Sequence, residues 1–133
     1  MLRVGVTYRQ TRPVTPEVTA QAFGADLMPV LATPWLVAFL EDTAAKCVES
    51  ELDKSQITLG TAVNVRHLAA TPVGLNVTCE AVLTGIDRRR LTFETRAWDE
   101  GGLVSEGTQE RFIVDREAFM AKANEKLNTR NQP

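Results

Sequence analysis

Residues 33–50 carry the pattern that most limits what this chain can fold into. Leu36, Leu40, Ala44, Cys47 and Val48 recur at helical spacing as one apolar stripe, with Asp42, Lys46 and Glu49 on the opposite side. Thr33 stands before Pro34, and a residue before proline is pushed to extended backbone angles, which suits an N-cap, while proline suits the first helical position. The spacing therefore predicts a helix from Thr33 or Pro34 to about Ser50 or Leu52. So long an apolar face has to be covered by another layer. Glu41 breaks the pattern: at about 100° per residue it falls beside Val37, Ala44 and Val48, on the margin of the buried stripe. A carboxylate there is shielded or sits at an interface.

The rest of the chain offers strands to do the covering. Residues 2–9 place Leu2, Val4, Val6 and Tyr8 on one face and read as a first strand. Residues 11–30 contain Pro13, Pro16, Gly24 and Pro29 and read as a connection. Beyond the helix, residues 58–68 set Leu59, Thr61, Val63, Val65 and His67 on one face, and a turn at 71–74 leads to a strand over 75–86. Turns at Asp87 to Arg89 and at Gly101-Gly102 lead to strands over 91–98 and 103–114. Serial strands argue for an antiparallel meander. Asp115 can cap a last helix carrying Phe119, Ala123 and Leu127, with a polar tail from Asn128. The expected fold is α+β, one domain over residues 1–133, with an antiparallel sheet wrapped around one long helix.

Composition excludes several function classes. Fifteen Lys and Arg against 17 Asp and Glu leave a net charge of −2 without a sustained basic block, which argues against nucleic acid as a partner. The one dense basic run, Arg88-Arg89-Arg90, reads as a solvated turn, with contact to ligand phosphates as the other reading. The longest apolar run, 35–40, is far short of a membrane span of roughly 20 residues, and the N-terminus lacks a signal-peptide core. Cys47 and Cys79 sit in apolar surroundings without metal-ligand spacing and read as core residues of a cytoplasmic protein. With two cysteines and a single histidine, no metal site is expected.

Three polar residues occupy places where apolar ones are expected: Thr33 at the helix start, Glu41 on the stripe margin and His67 on the inner row of a strand. A hydroxyl can attack or position a carbonyl, an imidazole can move protons near neutral pH, and a shielded carboxylate can orient the ring or activate water. Together they suggest acyl transfer. Each also has a plain structural role, as N-cap, core histidine and ion pair. The amides of Trp35 and Leu36, at the positive end of the helix, read as free to polarise a carbonyl oxygen. Thr33 and Glu41 lie roughly 12 Å apart along the helix axis, so either His67 bridges them or two subunits build one site. Gly60, inside a strand, suits close approach by a ligand or another backbone.

The segments 31–34 with Glu41, 59–74 and 107–112 resemble the fluoroacetyl-CoA thioesterase-like branch of the hotdog-fold thioesterases, over roughly residues 28–116. The resemblance implies a hotdog fold and hydrolysis of a short or small acyl-CoA thioester by a Thr33, Glu41, His67 set. Thr33 would then be the nucleophile or the substrate-positioning hydroxyl, Glu41 would orient or activate, and His67 would be the general base, acting on Thr33 or on water. It also implies Gly60 beside the acyl group, Arg111 in the acyl pocket, a homodimer or a larger assembly, and no cofactor beyond the CoA of the substrate. Gly24 and Leu27 stand where fluoroacetyl-specific members place lid phenylalanines, with Phe23 the nearest ring. Two other functions fit less well: a non-catalytic acyl-CoA or small-ligand binding module, and a hotdog dehydratase or hydratase, for which no local Asp-to-His motif is present.

Overall fold

The computed structural model describes residues 1–24 and 28–129. Its core is the expected helix, α1 (Thr33–Glu49), which buries Leu36, Phe39, Leu40, Thr43, Ala44, Cys47 and Val48. The stripe divides the core in two. Leu36, Phe39 and Leu40 pack with Val14, Leu31, Val77, Cys79, Ala97 and Val104, whereas Ala44, Cys47 and Val48 pack with Ala81, Leu83, Leu91 and Phe93. Leu36, Leu40 and Val48 are wholly buried, each contributing about 2 kcal/mol in transfer terms. Both cysteines are free and buried, and desolvation raises both thiols, Cys79 to about 12.

Five antiparallel strands curl over the helix: β1 (Thr7–Pro13), β2 (Gln56–His67), β3 (Asn76–Asp87), β4 (Arg90–Asp99) and β5 (Gly102–Asp115). This is the α+β hotdog arrangement, but its order is β1-β3-β4-β5-β2. Only β3 to β5 form the expected meander. The segment after His67 runs across the end of β5, where the amides of Leu68 and Ala69 donate to the Val104 carbonyl, so β2 pairs with β5 and not with β3. The place beside β3 goes to β1, which starts later than the sequence pattern suggests and extends into the supposed connection. Val4, Val6 and Tyr8 are exposed, although the segment before Thr7 stays against β3, where Gly5 N–H donates to the Leu83 carbonyl and the Leu83 amide donates to the Val6 carbonyl. β1 and β2 are therefore the two open edges.

Two of the three irregularities of the sheet lie in the pairings of β5 and bear on the faces of β2 and β5. In β2 the pairing with β5 shifts between Gly60 and Ala62, leaving Thr61 as an extra residue whose hydroxyl donates to Glu110. One extra residue reverses the alternation. Thr58 and Gly60, not Leu59 and Thr61, thus share the inner face with Val63, Val65 and His67. A second shift, between Ala97 and Trp98, makes Val104 the extra residue of β5, just beyond Ser105, which pairs with Ala97 on one side and His67 on the other.

The Arg88-Arg89 turn, with Arg88 at φ 59, lies beside Leu91 at the C-terminal half of α1, far from Thr33. Arg90 pairs there with Asp87 and Glu110. The last helix, α2 (Arg116–Asn124), is capped as expected: Ala118 N–H donates to Asp115 Oδ1 at 3.0 Å. Among the described residues no helix is long and apolar enough to cross a membrane.

Candidate active site

Thr33 is the first residue of α1 and Ala32 is its N-cap, with φ −74° and ψ 140°. The threonine hydroxyl is therefore not spent on capping. It lies 2.8 Å from His67 Nδ1, a contact between the helix start and the end of β2. The Leu36 amide, read above as free, donates to the Ala32 carbonyl at 3.0 Å, because the helix begins one residue earlier than an N-cap at Thr33 would require. Among the described residues the Trp35 amide has no backbone acceptor, and it remains the donor available at the positive end of the helix. A cleft lined by Val30, Ala32, Leu68, Ala69 and Ala70 opens onto Thr33 and His67.

Burial pushes the His67 pKa below the ordinary imidazole value, against a smaller opposing pull from the Ala69 backbone. Desolvation penalises the charged ring, so the neutral form, able to accept a proton, persists into mildly acidic solution.

Glu41 does not reach this pair. It lies instead with Gly60 and Arg111 further back along β2: a Cβ on Gly60 would sit 3.4 Å from the Glu41 carboxylate and 3.3 Å from Arg111 Nη1. Gly60 and His67 are six strand positions apart once the bulged Thr61 is set aside, roughly 20 Å. Of the two arrangements open from sequence, bridging by His67 within one chain is ruled out.

Arg111 is buried, at 5% exposure, rather than a surface strand residue. Its Nε donates to the Thr58 hydroxyl at 2.9 Å, Nη2 to the Thr58 carbonyl at 2.9 Å and Nη1 to Gln109 Oε1 at 3.3 Å, while Gln109 Nε2 donates to the Leu40 carbonyl of α1 at 3.2 Å. Glu41 Oε2 stands 3.9 Å from Nη1 on a half-exposed side chain. The guanidinium is thus fixed by neutral acceptors and turns one edge toward Glu41 and Gly60. Thr58 and Gln109 were not foreseen: the bulge at Thr61 puts Thr58 of β2 on the inner face against the simple alternation, and both faces of β5 are polar, so its alternation carries no signal. Among the described residues no group of three or more His, Cys, Asp or Glu could hold a metal ion.

Residues 14–117 match the model of a family described as fluoroacetyl-CoA-specific thioesterase. The chain belongs to that family. A fluoroacetyl-CoA thioesterase of Streptantibioticus cattleyicolor is 35% identical over 120 residues, covering 90% of this chain and 82% of that protein. The solved structure of the fluoroacetyl-CoA thioesterase FlK superposes with a TM-score of 0.90 at 32% identity, covering 95% of this chain and 98% of that one. A thioesterase superfamily member from Thermus thermophilus gives 0.86 at 27% identity, over 97% and 98%. The fluoroacetyl-CoA thioesterase family match spans Thr33, Glu41, Gly60, His67 and Arg111. Of the two lid positions, Gly24 ends a short helical turn in the left-handed conformation, and Leu27 lies outside the described residues. The neighbouring Phe23 ring packs edge-on against Trp35, with centroids 6.4 Å apart.

Proposed function

We propose that this chain hydrolyses the thioester of a small acyl-CoA, giving carboxylate and CoA thiol, at a site shared between two copies of itself. The contact of Thr33 Oγ1 with His67 Nδ1 at the helix start carries the reading. In this mechanism Nδ1 takes the hydroxyl proton as Oγ1 attacks the thioester carbonyl. The Trp35 amide stabilises the oxyanion, and the imidazolium returns the proton to the departing CoA sulfur. Water then cleaves the acyl-threonine ester, giving its proton to Nδ1, which passes it to the departing Thr33 Oγ1 and so restores the free hydroxyl and the neutral ring. No metal and no further cofactor take part.

The second copy supplies the carboxylate. The open edge of β2 leaves backbone groups unpaired, and an isologous antiparallel pairing covers it. Pairing centred midway between Gly60 and His67, near Val63 and Asn64, sets His67 of one copy opposite Gly60 of the other. Glu41 and Arg111 of that copy then complete the pocket around the acyl group. The narrow corner at Gly60 favours a small acyl group. Two free buried thiols suit the reducing cytoplasm, where we place the protein.

Release of CoA thiol, followed with a thiol reagent across a panel of acyl-CoA thioesters, tests the reading. Thr33→Ala and His67→Ala are each expected to lose at least a hundredfold in kcat, with Thr33→Ser recovering part of it. Full activity in both alanine variants overturns the mechanism, and binding of every acyl-CoA without thiol release favours a non-catalytic module.

A further inference from the structure

His67 Nε2 is buried and, among the described residues, has no hydrogen-bond partner; the same holds for the hydroxyls of Ser105 and Thr95. These three groups lie in one patch of the inner sheet face. Ser105 is the cross-strand partner of His67 and is wholly buried. Opposed residues of an antiparallel pair hold their Cβ atoms about 5 Å apart on one face, so although the two groups do not bond in the side-chain conformers present, rotation of the serine about χ1 is the only movement needed to aim its hydroxyl at the imidazole edge. Thr95, at 2% exposure, faces Gly107 on the same side and lies diagonal to Ser105. Ser105 follows Arg111, Gln109 and Gly107 in regular alternation on the inner face of β5, and the bulge at Val104 lies just beyond it.

The chemistry of the ring gives the patch a use. For Nδ1 to accept from the Thr33 hydroxyl, the neutral imidazole must carry its proton on Nε2, and a buried N–H requires an acceptor. We propose that Ser105 is the positioning residue of His67: with its hydroxyl turned toward the ring, its oxygen accepts a hydrogen bond from Nε2–H, holds the tautomer whose Nδ1 lone pair faces Thr33, and its O–H donates a hydrogen bond to Thr95 Oγ1. This rests on His67 being the base in the reading above.

Other partners are less suited. The Ala69 backbone biases the ring but does not complete a hydrogen bond with Nε2. Arg66 and Glu106, the nearest charged residues along β2 and β5, oppose each other on the outer face. Glu41 and Arg111 of a second copy approach from the open edge, whereas Nε2 is covered by its own chain.

His67 is the only histidine of the chain, so nitrogen NMR of uniformly labelled protein reports a single imidazole. Wild type is expected to show the Nε2–H tautomer at neutral pH. Ser105→Ala is expected to give mixed tautomers, a roughly tenfold lower kcat with KM within about twofold, and an acid limb of the pH profile moved down by about half a unit. Ser105→Thr restores all three. Should the alanine variant not fold, Ser105→Cys keeps the volume with a weaker acceptor and carries the same test. An unchanged tautomer and pH profile in folded Ser105→Ala overturns the proposal, as does a tautomer change in Glu41→Gln in place of Ser105→Ala. The spectrum needs no turnover. Retained activity in His67→Ala therefore overturns the mechanism above and leaves the tautomer result to decide Ser105 separately.

Discussion

Gly60 and Glu41 touch across the gap between sheet and helix: a Cβ on the glycine would stand 3.4 Å from the carboxylate, and 3.3 Å from Arg111 Nη1. The approach to Nη1 requires a neighbour to move by a few tenths of an ångström, whereas that to the carboxylate is at the edge of ordinary van der Waals contact. Glu41 can move, because it is half-exposed, but Arg111 is held by Thr58 and Gln109. Gly60→Ala is therefore expected to fold with a stability within about 1 kcal/mol of wild type. Its kcat/KM should fall roughly tenfold, because the methyl presses on Arg111 Nη1 and fills the corner beside the Glu41 carboxylate. Thermal melts beside steady-state kinetics check both halves, and a large loss of stability would place the role of the glycine in folding alone.

Arg111 gives the opposite pattern. Its removal leaves the Thr58 hydroxyl, the Thr58 carbonyl and Gln109 Oε1 without their donor in a buried setting. Arg111→Ala is expected to cost about 3 kcal/mol, read from urea midpoints at constant m. Arg111→Lys keeps the charge and loses the planar fork, so it recovers less than half of that.

These two residues also show where sequence reasoning reaches and where it stops. The helix, the four long strands and the cap at Asp115 follow from periodicity, and Thr33, Glu41 and His67 stood out because each interrupts an apolar row. The strand order was not legible, because neither β2 nor β3 carries a mark of its neighbour. Thr61 was assigned to the wrong face because a bulge is a matter of pairing, and a single extra residue reverses every position before it. Thr33 as N-cap failed by one residue, and that shift is what frees its hydroxyl for His67 while committing the Leu36 amide to Ala32. Ser105 and Gln109 stayed hidden since Glu106, Thr108 and Glu110 on the outer face are polar too, and Arg111 stood out only through the family resemblance.

The depressed pKa of His67 has consequences for activity and stability. As a base it stays unprotonated below the ordinary value of about 6.5, so the acid limb of kcat/KM is expected below pH 6.5. For stability, the unfolded chain binds a proton at this residue at a higher pH than the native one does. Native stability should thus fall as pH drops from about 6.5 toward the folded value, and level off below it, as far as this residue is concerned. Urea unfolding of wild type and His67→Gln between pH 5 and 7.5 isolates the effect. The difference between the two should change only inside that window, and a parallel pair of curves would remove His67 as the source.

The distance between Glu41 and His67 within one chain makes the shared site testable by mixing. One protein carries His67→Ala with Glu41 intact, the other Glu41→Gln with His67 intact, and each alone is expected to be nearly inactive. In a mixed pair, one of the two sites then combines His67 from the second protein with Glu41 from the first, and that site is whole. With random exchange, half the pairs are mixed and half the sites in them are whole, so activity should recover to about a quarter of wild type. A site contained in one chain gives no recovery at any ratio. A further Gly60→Trp change, placed on the protein with intact Glu41, obstructs the edge beside the whole site and should abolish the recovery. The same change on the protein with intact His67 falls beside the site already disabled and should leave it standing, an asymmetry that assigns Gly60 and Glu41 together to the copy opposite His67.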